Sequence, residues 1–281
     1  MLNLKSKKEA LEELKRTSKT YVKEGERAQA NSVKLLNSRQ LSSRLIKEVE
    51  SYINTIANTP KEYESKFAEV KIYLEKFKAI LDIKYDEKKA NQVTGSIAGT
   101  GVAVGAGVAA FAPSAAIAIA TTFGTASTGT AISALSGAAA TNAALAWLGG
   151  GVVAGGGGGM LAGNALLALA GPIGWTIGGT ALVGSALYAN KKNKDVSVKA
   201  QKETIEFQKK VAVLVAANIE IVELQKLTKT HREGLMNQLC ILKEHAPKDF
   251  KQFTPEQKFE IGCLVNNTLS LSKLINKKVG K

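Results

Sequence analysis

Between residues 4 and 58, apolar side chains return at Leu11, Leu14, Tyr21 and Ala28, then at Leu45, Val49, Tyr52, Ile53 and Ile56. Spacings of three, four and seven mark one helix face. The run holds no proline and only Gly25, so the pattern predicts a single amphipathic helix of about 80 Å at 1.5 Å per residue. Thr59-Pro60-Lys61-Glu62 then marks a new start: the threonine can cap, the proline fits the first helical position, and the glutamate can complete a capping box. The second helix carries Tyr63, Phe67, Val70, Leu74, Phe77 and Leu81 at alternating steps of four and three, a stripe that reads as packing surface.

The end of the chain repeats this plan. A long helix from about Val196 to Glu244 is predicted by Ile205, Val211, Leu214, Ile219, Val222, Leu227, Leu235, Leu239 and Leu242, with Gly234 as its interior weak point. Thr254-Pro255-Glu256-Gln257 gives a second Thr-Pro start, followed by Phe259, Cys263, Leu264, Leu271, Leu274 and Ile275. Four amphipathic helices with short connections predict an all-α fold, an elongated antiparallel bundle. No strand alternation of useful length accompanies them.

Between the two flanks the pattern stops. From Ala90 to Asn190 there is no Asp, Glu, Lys, Arg or His, so all 62 formal charges lie in residues 1–89 and 191–281. Soluble surfaces are about a quarter charged, which divides the chain into N-terminal amphipathic helices (1–89), a hydrophobic Gly/Ala-rich region (90–190) and C-terminal amphipathic helices (191–281). The central region holds 22 of the 26 glycines. Its breaks at Pro113, Thr121 to Thr130, Gly149 to Gly159 and Gly171-Pro172 leave stretches near the roughly 20 residues that span a bilayer. Asn142 to Ala170 and Pro172 to Asn190 are the better spans. Ser114 to Ser136 is marginal, because hydroxyls and small residues contribute little to insertion. A marginal span suits a chain that is soluble first, with the block folded as a hairpin against the flanking bundle, and membrane-bound later.

Gly151, Gly155, Gly159 and Gly163 recur at a strict spacing of four, and Gly174/Gly178 repeat it in short form. On a helix they form a stripe that lets a second backbone approach closely; a flexible glycine hinge is the alternative. Trp147, Trp175 and Tyr188 read as membrane-interface anchors or equally as core aromatics. Lys191 and Lys192 stand just outside the block as interface lysines, matched by Lys88-Lys89 at its other end. Basic residues at both ends fit an even number of crossings.

The remaining chemistry is sparse. Cys240 and Cys263 are too few for a disulfide scaffold and make no CxxC; both are expected to be reduced core residues. His231 and His245 have no metal-ligand spacing, so no metal or other cofactor is expected, and the centre offers no acid or base for catalysis. There is no GxxxxGK[ST] phosphate loop. The net charge of +14 is spread among interleaved acids, which favours solvated helix faces and attraction to anionic lipid over nucleic acid. The N-terminus lacks the apolar core of a secretory signal, so synthesis in a reducing cytoplasm is expected, with action at a membrane.

The text from Gly151-Val152-Val153-Ala154-Gly155 through Gly163-Asn164-Ala165-Leu166-Leu167 to Gly171-Pro172-Ile173-Gly174-Trp175 resembles glycine-zipper membrane proteins of bacteria, in particular pore-forming or membrane-depolarising effectors. Long amphipathic helices around an uncharged hairpin are similar in outline to α-helical pore-forming toxins of the cytolysin-A type and to apolipoprotein L. The resemblance implies a toxin or defence effector with an anionic lipid bilayer as its target, homo-oligomerisation within it through glycine-zipper helices, and an immunity or partner protein. A non-lytic membrane anchor or scaffold with coiled-coil flanks is the alternative.

Overall fold

A computed structural model of the chain describes residues 2–81, 118, 122 and 191–279. Among these are four α-helices: α1 (Leu2–Ile53), α2 (Lys61–Leu81), α3 (Lys191–His245) and α4 (Pro255–Leu274), with a 3₁₀ turn at Phe250–Gln252 before α4. The described residues form no strand beyond one isolated parallel bridge, Ala57 to Asp249. The all-α expectation therefore holds for both flanks. Helix α1 ends at Ile53 rather than near residue 58, and α3 begins at Lys191, where charge resumes, rather than at Val196.

The two long helices run parallel, not antiparallel. Side-chain hydrogen bonds between them join residues of nearly constant separation: Lys7 to Asn193 (186), Ser6 to Ser197 (191), Asn31 to Asn218 (187), Tyr52 to the Leu242 carbonyl (190) and Lys243 to Glu48 (195). An antiparallel pair would keep the sum of the numbers constant instead. The turns at the far end are stitched in the same sense. Ala57 N–H donates to the Lys248 carbonyl at 2.8 Å and Phe250 N–H donates to the Ala57 carbonyl at 2.9 Å. Asn58, in the left-handed region at φ 57°, donates from its amide to Asp249 at 2.9 Å, a conformation that asparagine tolerates better than most residues. Each flank is thus an antiparallel hairpin, and the two hairpins stand side by side pointing the same way.

A single seam holds α1 to α3. On α1 the inward series passes through Ala10, Leu14, Tyr21, Glu24, Ala28, Leu35, Ser38, Ser42, Leu45 and Val49, all buried; on α3 it passes through Ala200, Thr204, Phe207, Leu214, Asn218, Ile221, Thr228, Leu235, Leu239 and Leu242. Both series advance by alternating steps of four and three, the 3.5-residue period of a coiled-coil seam. Tyr21 and Phe207 meet with ring centroids 5.2 Å apart, and burial pushes the Tyr21 phenol above its ordinary pKa. A polar layer interrupts the seam: Asn218 donates to the Glu24 backbone carbonyl at 3.2 Å and to its carboxylate at 3.4 Å, and accepts from the Asn31 amide at 3.2 Å. Such a layer is satisfied in one register only, because a slip by one turn would bury the same groups without partners.

Helices α2 and α4, 21 and 20 residues long against 52 and 55 for α1 and α3, cover only the half of the seam next to the turns. There Tyr63, Phe67, Val70, Leu74 and Phe77 of α2 and Ile261, Leu264, Val265 and Leu271 of α4 join Leu45, Ile46, Val49, Leu235 and Leu239 in one core. Of the stripe expected on α2, Leu81 is half-buried and Ile80 takes the buried place. The cover ends where Arg39 of α1, fully buried, donates to the Lys277 carbonyl. Burial lowers the Arg39 guanidinium pKa from 12.5 to about 9, so burying its charge costs stability at neutral pH, and that cost is relieved only as pH rises above about 9. Beyond this level, among the described residues, α1 and α3 continue as a two-helix stalk of about 50 Å.

Three expectations from the apolar pattern are corrected. Ile205, Ile219, Val222 and Leu227 of α3 are exposed at 52, 57, 48 and 43 %. The seam takes the neighbouring stripe, which contains Thr204, Asn218 and Thr228, because those residues continue the 3.5-residue period through to Leu242. Phe259, expected inward on α4, is 74 % exposed. Cys240 is exposed and Cys263 half-buried, both as free thiols; Cys240 follows seam residue Leu239 by one position, which turns it outward.

At the α4 start the reading of the sequence holds in detail. Thr254 Oγ1 accepts from Gln257 N–H at 3.2 Å and Gln257 returns a bond to Thr254 N–H at 3.0 Å, with Pro255 as first helical residue. The α2 start lies one residue later than expected: the helix opens at Lys61, and the Pro60 carbonyl accepts from Tyr63 N–H at 2.9 Å.

Thr254→Ala should lower stability to urea by about 1 kcal/mol, the worth of a cap. Asn218→Ala, which strips Glu24 and Asn31 of a buried partner, should cost about 1–3 kcal/mol in the same measurement; an unchanged midpoint would remove the polar layer from the account of register.

Candidate functional site

Parallel alignment brings the N-termini of both long helices to one end of the molecule, the tip of the stalk. Neither helix has an acidic residue in its first turn. The first acids are Glu9 on α1 and Asp195 on α3, and before them stand Lys5, Lys7 and Lys8 on one helix and Lys191, Lys192 and Lys194 on the other. Lys5, Lys8 and Lys194 are exposed, while Lys7 is half-buried and donates to Asn193 at 3.2 Å. Beneath them the Ser6 and Ser197 hydroxyls are 3.1 Å apart. Each helix N-terminus carries roughly half a positive charge, so two of them side by side add to the lysines rather than offsetting them. Long-range pairing thus concentrates a positive field that the sequence distributes over two regions about 190 residues apart.

This tip is also where the uncharged block rejoins the flanks. Lys191 and Lys192, expected at a membrane interface, occupy the first turn of α3. On the other side of the block, α2 ends at Leu81 beside the upper limit of the four-helix part. Two described residues of the block lie at that same height. Ala118 is fully buried within the core shared by the four helices, and the Thr122 carbonyl accepts from Val279 N–H at 3.0 Å. Gly151, Gly155, Gly159, Gly163, Gly174 and Gly178 lie outside the described residues, as do Trp147, Trp175 and Tyr188.

No described helix is long and apolar enough to cross a membrane. Among the described residues no group of three or more His, Cys, Asp or Glu is placed to hold a metal ion. The described arrangement presents charge at one end of the paired long helices. No protein-family model, curated protein or solved structure matches the chain.

The sequence pointed to Lys191 and Lys192 but not to Lys5, Lys7 and Lys8 as their neighbours, nor to Asn31, Glu24 and Asn218 as one layer. The available signal was the 3.5-residue series on both flanks, which stays in phase when residue i is set against i+190.

Because the Ser6 and Ser197 hydroxyls are in contact, Ser6→Cys with Ser197→Cys, in a chain whose Cys240 and Cys263 are serine, should close an intramolecular disulfide on mild oxidation. Failure to form it, read by the gel shift of the oxidised chain, would contradict the parallel alignment.

Proposed function

We propose that this protein is a membrane-inserting helical protein that permeabilises or depolarises a bilayer, with the uncharged block entering lipid and associating through its glycine stripe. The observation that carries this reading is the 101-residue block from Ala90 to Asn190 without a charge, joined at one end to a lysine-rich tip. A surface lysine contributes about 1 kcal/mol of attraction to an anionic leaflet, so the tip supports an approach to such a surface with the end of the block leading. Lipid supplies no hydrophobic drive between helices, which leaves close backbone packing as the main attraction once inside. Gly151, Gly155, Gly159 and Gly163 suit that role, and the oligomer would be of like chains.

A non-lytic anchor or scaffold is the second reading. The parallel seam between α1 and α3 favours it, since a long coiled coil serves equally as a spacer. The two differ in what happens to a sealed vesicle.

Purified protein should release dye from vesicles containing anionic lipid and release less from neutral ones. Gly155→Ala with Gly159→Ala should be tolerated, since alanine keeps the stripe narrow and favours the helix by up to about 1 kcal/mol per site. Gly155→Ile with Gly159→Ile should abolish release while the lipid-free chain stays folded. Dye release equal to wild type in the double isoleucine variant would make the glycines a hinge, and tight binding without release by the wild type would favour the anchor.

A further inference from the structure

Among the described residues, one apolar face of the stalk is uncovered. On α3, Val198, Ile205, Ala212 and Ile219 repeat every seven residues, with Val215 and Val222 between and beyond, and all six are exposed. The series is more hydrophobic than the adjoining seam and has the same 3.5-residue period, which is the mark of a second helix-packing face. The equivalent positions on α1 do not carry it on: only Val22, opposite Ala212, is a comparable apolar residue, and Lys8, Lys15, Gln29 and Ser32 stand where α3 has Val198, Ile205, Ile219 and Val222. Solvation therefore accounts for the outer face of α1 but not for this one. In the lower half of the molecule α2 and α4 cover the long helices, and the stripe begins above the level at which both stop.

Chain connectivity says what is available to cover it. Thr122 is fixed at the upper limit of the four-helix part by its bond from Val279, and the chain re-enters the described structure at Lys191, the tip. Residues 123–190 thus start below the stripe and end above it, and a rise of about 1.5 Å per residue lets a fraction of them climb the stalk. They contain no charge, so laying them on an apolar face desolvates no ion. A tethered segment also meets the face at an effective concentration near millimolar, which a second copy of the chain would have to exceed.

We propose that the stripe Val198, Ile205, Ala212, Val215, Ile219 and Val222 is the docking face for part of residues 123–190 of the same chain in the absence of lipid. The inference concerns the lipid-free protein and stands or falls separately from permeabilisation.

The test uses the full chain in water with Cys240→Ser and Cys263→Ser, carrying one thiol at a time: Ile219→Cys or Val222→Cys within the stripe, or Ile241→Cys as a control. Ile219, Val222 and Ile241 have similar exposure, at 57, 48 and 50 %. A docked segment must open before a maleimide can react, so both stripe thiols should label about tenfold or more slowly than the control, at a rate independent of protein concentration. Labelling as fast as at position 241 overturns the proposal. Protection that disappears on dilution also overturns it and assigns the face to a second copy. A photocrosslinker at position 219 should join a peptide from 123–190 of its own chain; a crosslink to any other segment overturns the proposal even if labelling is slow.

Discussion

The parallel, in-phase seam between α1 and α3 is the constraint on which the rest of the molecule depends. Two helices of 52 and 55 residues with a common 3.5-residue period can pair in either direction as far as hydrophobic burial is concerned. Direction and register are settled by groups that cannot be buried alone. Glu24, Asn31 and Asn218 satisfy one another in this alignment, and the stitching of Ala57 to Lys248 and Phe250 ties the far ends together. Most of the buried area would survive a slip; these polar bonds would not, and a buried donor or acceptor left empty costs about 1–3 kcal/mol.

Polarity of the whole rod follows from that pairing. Because both hairpins point the same way, both long-helix N-termini and six lysines collect at one end while both turns collect at the other. An antiparallel pair would have put one N-terminus at each end and weakened the field at both. The same alignment sets the end of α2 at Leu81 where the four-helix part stops and the start of α3 at Lys191 at the tip.

Hydrophobicity alone ranked the faces of α3 wrongly. Ile205, Ile219 and Val222 form a stronger apolar stripe than Thr204, Asn218 and Thr228, yet the latter lie in the seam. A helix with two apolar faces has two packing obligations, and per-residue hydropathy does not say which partner meets which. The seam selects the face that stays in phase over about twelve turns of helix, from Ala200 through Leu242, and accommodates a few hydroxyls and amides that bond locally, as Thr204 and Thr228 do to carbonyls one turn back.

From the sequence alone came the helical flanks, the Thr254 capping box, the packing stripe of α2 and the extent of the uncharged block, because each is written in local periodicity or in the chemistry of neighbouring residues. The pairing of Lys5, Lys7 and Lys8 with Lys191, Lys192 and Lys194 was not legible, nor was the outward turn of Cys240 and Phe259. Those depend on which helices meet and in which sense. A repeat of 3.5 residues fixes that a face must be buried but is the same read forwards or backwards, so only contacts between residues about 190 positions apart, made in the folded chain, could decide between parallel and antiparallel and with it where the charge of this protein is gathered.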